Sequence, residues 1–118
     1  MFDYKKPTTQ LLGRYQPWHD GHTELFKRAF AKTNQVAILI RESDETESNP
    51  FTYQQRVKLI ESALSKEGFV FKTHYDIIRV PNIVNITYGR DVGYAIEQEK
   101  LDASIEAISA TKIRNEIL

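Results

Sequence analysis

The chain has no cysteine among its 118 residues. That excludes a disulfide framework and any zinc or iron–sulfur site built on thiolates. It also lacks an excess of either charge: 16 Lys and Arg balance 16 Asp and Glu, for a formal net charge of +0. A protein that coats nucleic acid through a basic surface is therefore disfavoured. No apolar run approaches the roughly 18 residues of a membrane span, and no signal-peptide pattern opens the chain. The expectation is a cytoplasmic protein with no membrane and no nucleic-acid partner. Low-complexity tracts and internal repeats are missing too. What is present is ordinary globular composition, 41% hydrophobic and 27% charged, which argues against wholesale disorder. At this length residues 1–118 read as a single domain, and a core this small leaves room for a homo-oligomer.

Met1 to Pro7 read as a short polar entry. Thr8 to Leu12 then read as a strand interrupted at Gly13, followed by a turn-rich loop from Tyr15 to Gly21. Leu25, Phe26, Ala29 and Phe30 recur at helical spacing and predict a helix from about Gly21 to Lys32. Val36 to Ile40 is a β-branched apolar run of the kind buried on both faces of a parallel sheet. Thr52 and Gln55 stand at capping-box spacing before a stripe of Tyr53, Val57, Ile60 and Leu64, so a helix runs from Thr52 to about Lys66, closed at Gly68. Ile77 to Val80, Val84 to Tyr88 and Ile105 to Ile108 read as further strands. Asp91 to Glu99 and Thr111 to Leu118 read as helices. Strands alternating with helices predict an α/β fold, a Rossmann-like parallel sheet of about five strands flanked by helices. Such sheets bind ligands beyond the carboxyl ends of their strands.

The first strand-to-helix loop is Gly13-Arg14-Tyr15-Gln16-Pro17-Trp18-His19-Asp20-Gly21-His22, and it holds two of the chain's three histidines. A helix mouth favours an anion, Gly21 permits close approach, and His19, His22 and Arg14 add donors for a polyphosphate. Gly13, Arg14, Tyr15 and Gly21 are candidate nucleotide or phosphate contacts. A plainer reading makes Asp20 the helix cap and the histidines solvated turn residues. A two-histidine metal site is the third option, but no carboxylate partner completes it. Trp18 is expected to pack the loop, Glu42 to Ser48 to form a solvated acidic loop, and His74 to lie on the surface. A second cluster, Ile108-Ser109-Ala110-Thr111-Lys112-Ile113-Arg114, places the Ser109 and Thr111 hydroxyls and the Arg114 guanidinium at another strand-to-helix junction. Its plainer reading is a serine cap with surface cations.

Taken together, the two clusters resemble the nucleotidyltransferases marked by an H-x-G-H loop after strand one and an I-S-x-T-x-I-R signature near the end. Within that superfamily the sequence looks most like the archaeal-type nicotinamide mononucleotide adenylyltransferases. The likeness runs through Gly13 to His22, Asn49 to Arg56, and Ile78-Arg79-Val80-Pro81-Asn82-Ile83. The Thr52 to Arg56 stretch is also similar to a helix start in glycerol-3-phosphate cytidylyltransferases. The resemblance implies transfer of a nucleoside monophosphate from a nucleoside triphosphate, with ATP favoured, to a phosphate-bearing acceptor such as nicotinamide mononucleotide, with release of pyrophosphate. It implies His19, His22 and Arg114 as catalytic residues, Ser109 and Thr111 on the distal phosphates, and Mg²⁺ carried mainly by the triphosphate. Arg56, Gly89 and Asp91 are further candidates. Two alternatives accompany it: a cytidylyltransferase using CTP and a small phosphorylated alcohol, and a non-catalytic nucleotide-binding module.

Overall fold

The computed structural model describes residues 1–44, 46–90 and 93–99. Their elements alternate: β1 (Thr9–Gly13), α1 (Asp20–Thr33), β2 (Val36–Arg41), α2 (Tyr53–Lys66) and β3 (Tyr75–Val80). The three strands form one parallel sheet in the order β1-β2-β3, with Gly13 opposite Ile40 and Ile40 opposite Arg79 at its carboxyl end. This is the expected α/β arrangement, with three of the strands in place among the described residues.

Both helices form for local reasons. In α2, Thr52 accepts the Gln55 N–H at 3.2 Å and the Gln55 side chain accepts the Thr52 N–H at 2.8 Å, a complete capping box. At the far end Gly68 takes φ 87°, and the Gly68 and Phe69 N–H groups close onto Ser65 and Leu64. Phe26 and Ala29 of α1, Ile60 and Leu64 of α2, and Val36, Ile38, Ile40, Leu11 and Tyr75 of the sheet form one core. Both helices therefore cover the same face. The expectation that β2 is buried on both faces needs correction: Val36, Ile38 and Ile40 are sealed, whereas Ala37 and Leu39 are only half-buried. The described residues provide no helix on that second side.

The polar entry is tied down rather than loose. Phe2 N–H donates to Lys72 O at 2.7 Å, and the Tyr4 hydroxyl donates to the buried Asp76 carboxylate at 2.7 Å. The buried Gln35 amide donates to Asp3 O at 2.8 Å. The segment is a strap across the amino ends of the strands.

Two expected elements are not found. Val84 to Tyr88 is not a strand; Val84, Ile86 and Tyr88 are exposed along an unpaired stretch. Their alternation fits a strand, but β structure needs a partner ladder, and none reaches them among the described residues. Residues 93–99 are not helical. Glu97 and Glu99 pair instead with Lys32 and Arg28 on α1. His74 is half-buried against Phe30 and Phe69 and accepts the Val70 N–H, so it is partly packed rather than fully exposed. Ile105 to Ile108 and Thr111 to Leu118 lie outside the described residues.

Candidate functional site

The loop between β1 and α1 is built around aromatic packing. Tyr15 has φ 53°, and its ring is buried against the strand end. A Cβ on Gly13 would stand 2.9 Å from Tyr15 Cζ and 3.0 Å from Cε1, so the glycine makes room for that ring. Burial raises the Tyr15 pKa well above the ordinary phenol value. Trp18 is buried as expected; its indole N–H donates to Thr23 Oγ1 at 2.8 Å, and its ring lies 5.0 Å from Tyr15 and 5.3 Å from His22. Gln16, also buried, holds the main chain of Phe51 at two points: its amide donates to Phe51 O at 3.0 Å and accepts Phe51 N–H at 2.9 Å.

On this base the two histidines stack face to face, with ring centroids 3.8 Å apart and 23° between planes. His19, not Asp20, caps α1. Its Nδ1 accepts the Gly21 N–H at 3.0 Å, while His22 Nδ1 accepts the His19 N–H at 3.1 Å. The Gly21 N–H at the helix mouth is thus spent on a side chain. With both Nδ1 atoms accepting, each neutral ring carries its proton on Nε2. Burial lowers the basicity of both rings. His22, half-buried and beside His19, is pushed down to about 3, while Asp20 partly offsets the effect at His19. The result is a pair of neutral N–H donors side by side, suited to an approaching anion. Arg14, exposed on the same loop, adds a guanidinium that donates to Asn49 Oδ1 at 3.2 Å.

The sequence reading leaves Arg56 between a site residue and a solvated one, and the structure corrects the solvated reading. Arg56 is 2% exposed and donates to the Arg14, Arg41 and Thr52 carbonyls. Gly89 is exposed, with open space where a side chain would stand. Among the described residues no hydrogen bond joins it to the loop. Asp91, Ser109, Thr111 and Arg114 lie outside the described residues.

Sequence reasoning assigned no site role to Asn49, Gln16 or Arg79, and placed Glu42 only in a solvated acidic loop. The only advance signal was the quoted likeness over Gly13 to His22, Asn49 to Arg56 and Ile78 to Ile83, which contains three of them. Glu42 accepts from Arg79 Nε at 2.8 Å. It anchors the start of the acidic loop and borders a cleft of about 220 Å³ lined by Glu42, Ser43, Asp44 and Asn82, beyond β2 and β3. The buried Ser43 hydroxyl there has no hydrogen-bond partner among the described residues. Among the described residues no three His, Asp or Glu side chains gather to hold a metal ion, and no helix is long and apolar enough to cross a membrane.

Residues 11–105 match the family profile described as cytidylyltransferase-like. Among curated proteins, the chain is similar to a nicotinamide-nucleotide adenylyltransferase of Saccharolobus solfataricus. The two are 36% identical over 74 residues, 61% of this chain and 42% of that protein. It is 34% identical over 75 residues to the nicotinamide-nucleotide adenylyltransferase of Pyrococcus furiosus, covering 62% of this chain and 40% of that one. Nicotinamide-nucleotide adenylyltransferase 1 of Sulfolobus acidocaldarius is 24% identical over 132 residues, 90% of this chain and 75% of that one. In the first two comparisons the matched stretch spans less than half of the relative.

Proposed function

The chain belongs to the cytidylyltransferase-like family, and from that premise we propose that it catalyses nucleotidyl transfer, with adenylyl transfer from ATP to nicotinamide mononucleotide as the specific reaction. An oxygen of the acceptor's phosphate attacks the α-phosphorus of the triphosphate. The bond from that phosphorus to the bridging oxygen breaks, and pyrophosphate leaves with its electron pair. Such chemistry asks a protein for positioning and charge neutralisation rather than a covalent nucleophile.

The observation that carries this reading is the stacked His19–His22 pair, two Nε2–H donors fixed by their own backbone at a helix mouth. In this reading they hold the α- and β-phosphate oxygens and take up charge as it builds in the transition state. Arg14 holds a further phosphate oxygen, and Ser109, Thr111 and Arg114 grip the distal phosphates. Mg²⁺ carried by the triphosphate would supply neutralisation of phosphate charge and would need few protein ligands. The names of the relatives favour adenylyl transfer to nicotinamide mononucleotide, while the family description keeps cytidylyl transfer as the second reading.

A panel crossing ATP and CTP with phosphorylated acceptors, read by mass spectrometry, tests both. The expected outcome is a dinucleotide and pyrophosphate from ATP and nicotinamide mononucleotide. Product from CTP alone overturns the adenylyl assignment. Tight nucleotide binding with no product from any pair favours a non-catalytic module.

A further inference from the structure

We propose that Arg56 is a positioning residue: its buried guanidinium sets where the Arg14–His22 loop sits on the sheet, and so where that loop presents its donors to a nucleotide. This rests on the nucleotide-site reading above and adds to it a residue that touches no substrate.

The argument starts from the sheet. The last β1–β2 pair is Gly13 opposite Ile40, so Arg14 and Arg41 would form the next one. The β1–β2 ladder ends there, while Arg41 still pairs with Val80 of β3. Arg56, in the first turn of α2, supplies the missing link. Its Nη1 donates to Arg14 O at 3.0 Å and to Arg41 O at 3.1 Å, and its Nε donates to Thr52 O at 3.3 Å. Glu42 lies 3.7 Å from Nη2 and is itself held by Arg79 of β3 at 2.8 Å. One fork-shaped cation therefore joins the carboxyl ends of β1 and β2 to α2, with β3 reached through Glu42.

At 2% exposure Arg56 is closed off from the surface. What it can move is Arg14, whose carbonyl it holds and whose side chain is exposed at the site. The Gln16–Phe51 contacts tie the same loop to the same helix start. Lysine keeps the charge but has one nitrogen, so it cannot serve the Arg14 and Arg41 carbonyls and the Thr52 carbonyl from two donors held in one plane. Displacement of a catalytic loop by about 1 Å can cost roughly 100-fold in rate.

The test uses Arg56→Lys and Arg56→Met in the full chain, each alone and with Arg14→Ala. For Arg56→Lys the expected result is a folded protein whose kcat falls roughly 10- to 100-fold, while its Kd for ATP, read by calorimetry, changes far less. In the Arg14→Ala background the same substitution should cost much less, since the two changes act through one element. A second readout needs no turnover: the His22 ring followed by NMR against pH. In the intact chain it should titrate far below the ordinary imidazole value, at about 3, and in Arg56→Lys nearer that ordinary value. Arg56→Met leaves both carbonyls unpaired. If it unfolds, Arg56→Lys alone decides. Unchanged kcat and unchanged His22 titration in Arg56→Lys overturn the proposal, and so do losses that simply multiply with Arg14→Ala. If the intact chain turns over no substrate pair, the functional reading fails and the His22 titration decides the positioning role by itself.

Discussion

In the proposed mechanism His22 does two things: it caps a loop and meets an anion. Its Nδ1 is committed to the His19 N–H, so only Nε2 is left for chemistry. His22→Ala removes that donor and is expected to lower kcat by about 10²–10³, the range for loss of one preorganised donor. The protein should remain folded, because the core lies in Phe26, Ile38, Ile60 and their neighbours. Near-normal turnover in a folded variant, checked by circular dichroism, would remove the histidine pair from the mechanism. Gly13 makes a different kind of demand. Gly13→Ala drives a methyl to within 2.9 Å of Tyr15 Cζ, and the buried Tyr15 ring has little room to give. Overpacking of this sort costs about 1–3 kcal/mol, to be read as a lower denaturation midpoint at unchanged m value. Little of this was legible in advance. The sequence marked the loop as the place for chemistry but pointed to Asp20 as the plain cap. His19 caps instead, in a loop shaped by Tyr15 and Trp18, and such packing leaves no trace in spacing. Arg56 was ambiguous because hydropathy places arginine outside. Two of its three carbonyl partners lie 42 and 15 residues away in the chain.

Helices were easier to read than strands. The signals that make α2 lie within its own sequence: Thr52 and Gln55 at one end, Gly68 at the other, and an apolar stripe between. Thr52→Ala removes the hydroxyl that accepts the Gln55 N–H and should cost about 1 kcal/mol, measured by urea unfolding. An unchanged midpoint would mean that packing, not the cap, fixes the start of α2. A strand carries only half of its own specification. Val84 to Tyr88 alternates correctly, yet the other half, a neighbour to pair with, is not supplied among the described residues. Val36 to Ile40 shows the opposite case. Its place between β1 and β3 is secure, but the sequence overstated its burial because nothing in the run itself says which face a helix will cover.

For the molecule as a whole, the low basicity of His22 becomes a dependence of stability on pH. Its folded pKa is near 3, against about 6.5 in an unfolded chain. Between those values the unfolded state binds a proton that the native state refuses. Stability contributed by the neutral ring is therefore fully present above about 6.5 and is lost as pH falls towards 3, at about 1.4 kcal/mol per pH unit. Urea titrations at several pH values should show that slope, and His22→Gln should flatten it. An identical slope in the variant would assign the acid sensitivity to other groups. The α/β class followed from the order of the elements alone, since strand–helix alternation admits few other layouts. Which residues meet at the carboxyl ends of the strands did not, because those meetings join stretches far apart in the chain.

The strap across the amino ends of the strands has a consequence for how the chain is made. Tyr4 and Asp76 are separated by 72 residues. At a synthesis rate of about 5–20 residues per second, roughly 4–14 s pass between making the two. β1, α1 and β2 can associate in that interval, whereas the Tyr4 hydroxyl and the Phe2 N–H must wait for partners not yet translated. The segment ahead of β1 is thus fastened only once β3 has been made, and closing it signals that the third strand has arrived.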